Sequence, residues 1–329
     1  MKLTLSLDSI ALLLYCSELY FSEEEPLNEK EWDDLEKKIK KSSLKRPAGL
    51  LGLDHESIMK LVGIEEKLAL KLEKMNHMLN DLMAALFKLE KSEIGIITKY
   101  EEEYPVNLKN KLKKKYPMIL YYIGNYELLK TPMVYLTGPI KINEKMNNNT
   151  KKIVHRMVDE GYTLITSNTR GCEGTALKEQ LKSGGKVVEF SCENILTSKK
   201  QHAKAIKAGE MLILTARHPF ATFDLIKAID RNQYIYTLSE MGIIVYSSIN
   251  SGATWLSAIM NINNKYTKLA AVVDDEFYGN ARLIELGAYP ITMDMIDSDM
   301  SLEEMCEDKE EIIEDPIHYD QLSIYDFLQ

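Results

Sequence analysis

From Met133 onward, short apolar runs alternate with longer polar ones, and that order leaves few folds open to the chain. The runs MVYLTG, YTLITS, KVVEF, MLILTA, GIIVYS and KLAAVVD are apolar on successive residues instead of every second one. That is how strands read when helices cover both faces of their sheet. Between them lie helical stretches starting near Glu144 and Cys172, a long one begun by Thr222 and running through Leu238, and further ones near Ala253 and Gly279. Repeated strand-helix-strand units imply an α/β fold, a doubly wound parallel sheet with right-handed crossovers. Such sheets bind ligands at the carboxyl ends of their strands, so the residues just past each apolar run deserve the closest reading.

The chain before this region has another character. Leu, Ile and Met recur at three-to-four spacing from Leu3 to about Leu89, interrupted at Pro26 and around Arg46-Pro47-Ala48-Gly49, which marks a small helical domain over residues 1–92. Its opening, MKLTLSLDSIALLLYC, is broken by Asp8 and lacks a small-residue cleavage site, so it reads as a first core helix and not as a signal peptide. Leu61-Val62-Gly63-Ile64 leading into Leu68-Ala69-Leu70 has the look of a helix-hairpin-helix whose second glycine is absent, and packing or domain docking suits it better than DNA contact. Residues 93–130, with Tyr104-Pro105 and Tyr116-Pro117, form an extended connector laid onto the sheet domain of residues 131–292. The acidic stretch 293–329 reads as a mobile tail ending in an apolar motif.

A net charge of −9 by itself argues against a nucleic-acid partner, but it is unevenly placed. Asp294 to Asp320 hold 12 acids against one lysine, a charge of −11, which leaves the rest of the chain near +2. A nearly neutral body is compatible with a local basic crevice, because clustering and not total charge sets affinity for phosphate. No run approaches the roughly 18 apolar residues of a membrane span. Cys16, Cys172, Cys192 and Cys306 are far apart, with no C-x-x-C pair and no histidine at ligand spacing, so we expect a reducing, cytoplasmic setting and neither a structural zinc nor a cofactor.

Past the strand Ile243–Tyr246 come Ser247, Ser248, Ser251, Gly252 and Thr254. Small residues there let a backbone approach a phosphate, and the following helix would offer unpaired N–H groups and the positive end of its dipole. An ordinary strand-to-helix turn uses the same residue types. Arg170 stands between a strand and a helix, where its planar fork suits phosphate oxygens; the competing role is an ion pair with Glu173. Arg231 and Asn232 lie inside a helix, facing the crevice or, for the arginine, pairing with Asp230. Arg217 and His218 follow a strand at the ligand edge, and His218 reads as structural. Phe220, Phe223 and Trp255 are candidate platforms for bases, with Phe223 and Trp255 better suited to the core.

A linked series of these features resembles the DprA/Smf DNA-processing protein family. It runs from Tyr104-Pro105 and Leu120-Tyr121-Tyr122-Ile123-Gly124-Asn125 through Thr169-Arg170-Gly171, Gly184-Gly185-Lys186-Val187-Val188 and His218-Pro219. It continues with Arg231-Asn232-Gln233-Tyr234-Ile235-Tyr236, Ser251-Gly252-Ala253-Thr254-Trp255, Gly279-Asn280 and Leu286-Gly287-Ala288, over roughly residues 94–292 in the family's order. The resemblance implies a Rossmann-like domain that binds and protects single-stranded DNA and helps load a RecA-type recombinase during natural transformation, usually as a homodimer and without catalysis.

Several family positions differ. The family's Gly-Ser/Thr-Arg after the first strand is Gly138-Pro139-Ile140 here, with Lys141 one place late as a point charge in the arginine's stead. The usual Ser-Gly-x-Ala-x-Gly loop appears as Ser167-Asn168-Thr169-Arg170-Gly171-Cys172-Glu173, and Arg-Asn-Arg as Arg231-Asn232-Gln233. Where the family carries a winged helix, the acidic stretch stands instead, so no winged-helix segment is expected within residues 293–329. The expected phosphate-binding set is therefore Gly138, Lys141, Ser167, Asn168, Arg170, Gly171, Arg217, Arg231, Asn232, Ser251, Gly252 and Thr254. Gln321 with Leu322, Ile324, Tyr325 and Phe327 looks like a peptide that docks on a sliding clamp, against the plainer reading of a tail strapped to its own domain. Two other functions share such a crevice, a sensor of a nucleotide signal and a nucleoside-monophosphate phosphoribohydrolase. The second lacks an acid placed behind Ser251-Gly252-Ala253-Thr254 to move the proton.

Overall fold

The computed structural model describes residues 4–307, so the terminal motif Gln321–Phe327 lies outside the described residues. In chain order the elements are α1 (Leu7–Cys16), α2 (Glu29–Lys41), α3 (His55–Val62), α4 (Glu66–His77), α5 (Leu79–Lys91), β1 (Gly95–Thr98), α6 (Val106–Leu112) and β2 (Ile119–Gly124). Then come β3 (Met133–Thr137), α7 (Glu144–Asp159), β4 (Thr163–Thr166), α8 (Cys172–Lys182), β5 (Val187–Phe190), α9 (Ile195–Gln201), α10 (Ala203–Lys207) and β6 (Met211–Thr215). The series closes with α11 (Leu225–Leu238), β7 (Met241–Ile244), α12 (Gly252–Asn264), β8 (Lys268–Val272), α13 (Tyr278–Glu285), β9 (Tyr289–Ile291) and α14 (Met293–Ile296). They fall into two compact units. The first comprises Met1–Tyr126, Ser191–Ile206 and Ile213–Phe223, and the second Glu127–Phe190, Lys207–Leu212 and Asp224–Gln329.

In the first unit α1 is nearly all apolar, and Leu12, Leu13, Leu14 and Tyr15 are fully buried, with Ser6 capping its first turn. The hairpin foreseen at Gly63 forms: α3 ends on Gly63 in the left-handed region at φ 70° and α4 begins three residues later. Its N-terminus carries exposed Glu65 and Glu66, which oppose phosphate, so the packing role is the one the geometry favours. Residues 93–130 are more than an extended connector, for β1 and β2 pair antiparallel with Ile97 opposite Leu120, and α6 lies between them.

The second unit is built on six parallel strands in the order β5-β4-β3-β7-β8-β9. Starting at β3, the chain winds outward through β4 and β5 on one side and through β7, β8 and β9 on the other. This is the doubly wound, Rossmann-like sheet that the apolar runs imply. Strands β3, β4, β5 and β7 are buried along their whole length, as a sheet covered on both faces requires. The switch in winding falls between the neighbours β3 and β7, where Val134 is opposite Met241 and Thr137 opposite Ile244.

Two expectations need correcting. The long helix starts at Leu225 and not at Thr222, because Asp224 in extended conformation accepts the Lys227 N–H and caps it. The beginning of the acidic stretch is folded and not mobile: Ile296, Leu302, Met305 and Cys306 are buried, Arg156 donates to the Ser298 and Met300 carbonyls, and the Leu302 N–H donates to Glu160. Its apolar residues, Ile296, Leu302, Met305 and Cys306, are scattered among the acids, and the charge density obscures them. Among the described residues no helix is long and apolar enough to cross a membrane.

Candidate nucleic-acid interface

The loops after β3, β4, β7 and β8 lie at the carboxyl edge of the second unit's sheet, and each is held by a specific buried group. Glu173, in the first turn of α8, is only 5% exposed. Its Oε1 accepts from the Tyr135 hydroxyl at 3.0 Å and Thr137 Oγ1 at 2.9 Å, and its Oε2 from Thr166 Oγ1 at 2.9 Å, the Ser167 N–H at 2.8 Å and Ser167 Oγ at 2.5 Å. One carboxylate thereby ties β3, β4 and the following loop to the start of α8, where the helix dipole also favours it. Burial, with Glu173 beside it, pushes the Tyr135 phenol well above its ordinary value, so it stays a donor.

Gly171 precedes that helix at φ 86°, and a Cβ there would run into the Pro139 and Ile140 carbonyl oxygens. The Cys172 N–H donates to the Pro139 carbonyl at 3.1 Å, so the loops after β3 and β4 are fastened edge to edge. Burial pushes the Cys172 thiol up to about 12, which keeps it protonated. Gly138 also allows a close approach, since a Cβ would sit 3.0 Å from Cys172 Sγ and 3.6 Å from the Tyr246 backbone nitrogen.

The loop after β7 is pinned from below by Asn280, which is fully buried. Asn280 Oδ1 accepts the Ser247 N–H at 2.8 Å, and its Nδ2 donates to the Val245 and Val272 carbonyls at 3.1 and 2.9 Å. Gly279 beside it has no room for a Cβ, which would meet the Ser247 carbonyl. Above this base α12 begins. Its cap, Ser251, makes no side-chain capping hydrogen bond, Gly252 has φ 85°, and Ser251, Gly252 and Ala253 are exposed. The start of α12 thus offers exposed backbone without a side-chain cap, next to the Ser248–Ser251 bridge, and helix starts of this sort hold anions. Lys145, in the first turn of α7, reaches Asp274 at 2.6 Å and Glu276 at 3.4 Å in the loop after β8.

The twelve residues expected to bind phosphate divide into groups in this structure. Lys141, Arg170, Ser251 and Gly252 are exposed on the carboxyl-edge loops and Thr254 is half-buried in the first turn of α12. Among the described residues neither Lys141 nor Arg170 has an acid partner, and the suggested Arg170–Glu173 ion pair is absent because Glu173 is occupied by internal donors. Gly138 and Gly171 serve close packing. Ser167 is held by Glu173, and Asn168, at φ 57°, donates through Nδ2 to the buried Glu189 at 3.0 Å. Arg231 and Asn232 are buried. Arg231 donates to the Phe190 carbonyl and to Asn232 Oδ1 at 3.1 Å rather than to Asp230, which fixes the end of β5. In the first unit, Arg217 bridges the Cys192 and Thr222 carbonyls at 2.7 and 2.9 Å. His218, whose pKa burial lowers, packs edge-on to Phe220.

Of the aromatic candidates, Trp255 is core at 4% exposure, and Phe220 is open. Phe223, expected in the core, is 59% exposed, because it precedes the Asp224 cap and lies outside the helix. Sequence reading missed Glu173 as a hub, Lys145, and the function of Gly279-Asn280, although the last pair was already visible as a motif.

A family model described as DNA recombination-mediator protein A matches residues 95–300. The chain belongs to this family. No curated protein matches the sequence. Similar solved structures include DNA processing protein A from Streptococcus pneumoniae, with a TM-score of 0.55 at 17% identity over 82% of this chain and 98% of that one. Another is DNA processing protein A from Helicobacter pylori, whose structure is described for its unique single-stranded DNA binding mode; it has a TM-score of 0.51 at 20% identity over 62% of this chain and 94% of that one. At these identities the likeness establishes the fold.

Proposed function

We propose that this protein holds single-stranded DNA at the carboxyl edge of the second unit's sheet, centred on the switch between β3 and β7, without altering it chemically. The observation that carries the reading is the start of α12, where exposed Ser251, Gly252 and Ala253 leave helix N–H groups uncapped by any side chain. Lys141 and Arg170, on the two fastened loops beside it, supply cations that pair with no acid among the described residues. Lys141 takes the place of the arginine that the family usually carries after Gly138. Ser167, Asn168, Arg231, Asn232 and Arg217 shape or brace loops and strand ends in this reading rather than touching DNA. Membership of the family and the printed description of the Helicobacter pylori protein both support single-stranded DNA as the ligand. The further roles follow the family resemblance: protection of the strand from nucleases, delivery to a RecA-type recombinase and assembly as a homodimer.

The test is fluorescence anisotropy with a labelled oligothymidylate across a salt series. Binding is expected to weaken as salt rises, with a logarithmic slope of about −0.7 for each phosphate neutralised. Lys141→Ala and Arg170→Ala should each remove about one such increment. Absence of salt-sensitive binding would overturn the proposal. Thermal stabilisation by mononucleotides and not by oligonucleotides would favour the sensor instead.

A further inference from the structure

Four large apolar side chains stand in solvent on the loops of this carboxyl edge: Ile140 after β3 at 61% exposure, Ile249 after β7 at 50%, Val273 after β8 at 42%, and Tyr278 opening α13 at 74%. Exposed hydrophobic side chains on separate loops of one crevice mark a contact surface better than isolated ones do. Tyr278 is the largest and most exposed of them, and its support is rigid. The next residue, Gly279, is pressed against the Ser247 carbonyl and the Ile249 N–H, and Asn280 is locked between the ends of β7 and β8. The preceding residue, Phe277, is 2% exposed and packs edge-on against Tyr246 with ring centroids 5.1 Å apart, under the Lys145 ammonium at 5.5 Å. A ring on a fixed backbone, projecting into water with buried neighbours on both sides, loses little entropy when something stacks on it.

We infer that Tyr278, with Ile249 beside it, is the ledge on which the bases of the bound strand rest. The inference depends on the phosphate-binding reading above and adds the base-contacting side of the same site. Ile249 precedes Ser251 by two residues, so a nucleotide whose phosphate meets the α12 N-terminus has its base within reach of this ledge. Single strands are held by cations along the backbone together with aromatic faces for the bases, and every base has such a face, so the contact is indifferent to sequence. Paired bases in a duplex cannot offer theirs. The ledge therefore selects single strands over duplexes.

The experiment compares Tyr278→Ala, Tyr278→Phe and the unaltered full chain on an oligothymidylate and on an abasic oligonucleotide of equal length and charge. Tyr278→Ala should weaken binding to oligothymidylate by about 5-fold or more. Its affinity for the abasic strand and its salt slope should not change, since stacking releases no counterions. Tyr278→Phe should keep the unaltered affinity. Equal affinity of Tyr278→Ala and the unaltered protein for oligothymidylate would overturn the inference, as would an equal loss on the abasic strand. If the unaltered protein binds neither strand, the phosphate-binding reading falls together with this one. If it binds both and only Tyr278→Ala is silent, the ledge alone falls. The ring is exposed, so an unchanged thermal midpoint should accompany the variant.

Discussion

Glu173 receives five hydrogen bonds from four residues while almost shut off from water, and two of its donors come from β3. Hydroxyl donors can rotate, but the Ser167 N–H cannot, and it needs an oxygen opposite. Glu173→Gln can keep its oxygen on the Ser167 N–H, but its NH2 group then faces the Tyr135 and Thr137 hydroxyls, which must turn to accept and leave a buried O–H proton without an acceptor. Leaving a buried donor unsatisfied costs about 1–3 kcal/mol. For a unit of this size each kcal/mol lowers the melting midpoint by about 2–4 °C. Calorimetry should therefore find Glu173→Gln less stable, and DNA affinity should drop with it because the loops carrying Arg170 and Lys141 lose their common anchor. An unchanged midpoint would show that the carboxylate is not the hub. Sequence could not assign this role. Glu173 lies three residues from Arg170, so an ion pair was the local reading, whereas the true donors come from two strands and the loop after β4. Gly279 and Asn280 were legible as a motif and not as a mechanism, because the Ser247 backbone they grip is some thirty residues away and comes near only when β7 and β8 pair.

Elements were the most legible scale. The apolar runs after Met133 foretell β3 to β8, since a strand covered on both faces has few polar positions to blur its limits, although β7 forms at Met241–Ile244 and not at the expected Ile243–Tyr246. What failed was the estimate of exposure from hydrophobicity alone, as Phe223 illustrates, and the estimate of mobility from charge, as Leu302 and Met305 illustrate. In the first unit a different feature governs how elements join. Lys99, just past β1, has a side chain only 4% exposed and pairs with Glu36 at 2.8 Å and Asp33 at 3.2 Å, both on α2. Burial alone would raise the Glu36 carboxyl, but Lys99 and then Lys40 hold it below its usual range. Burial alone would lower the Lys99 ammonium, yet Glu36 and Asp33 raise it. A carboxyl with a depressed folded pKa contributes stability that is present above its unfolded pKa, about pH 4, and is lost as pH falls below it. The raised lysine contributes below its unfolded pKa and stops contributing only in strongly alkaline solution. The pair should thus give a flat stability profile through neutrality with a decline on the acid side. Lys99→Ala leaves Glu36 with Lys40 alone, 3.0 Å away, and should cost less at neutral pH than the about 3–5 kcal/mol of a buried pair broken outright. In acid the difference from the unaltered protein should shrink as Glu36 takes up a proton. A pH-independent difference in denaturant titrations would refute the coupling.

At the scale of the molecule, charge is separated along the chain, and sequence alone locates it. The partition into units was less legible, because Ser191–Ile206 and Ile213–Phe223 cluster with the N-terminal elements and only tertiary contacts decide that. Residues 308–329 contain seven acids and one lysine, a charge of −6, so ending the chain at Glu307 changes the net charge from −9 to −3. On the proposed reading, an anionic segment tethered to the protein repels a polyanionic ligand at distances up to about a Debye length, about 10 Å at 0.1 M salt. It also competes for any cation it can reach. The chain ending at Glu307 should therefore associate faster with single-stranded DNA at low salt, and the gain should fade as salt rises, because long-range steering is screened first. Dissociation should change little if the segment acts through its field alone, and stopped-flow measurements of both rates separate the two effects. A gain that survives high salt would point instead to direct competition for the Lys141 and Arg170 rim. An unchanged association rate at low salt would mean that the acidic segment and the DNA surface do not sense each other.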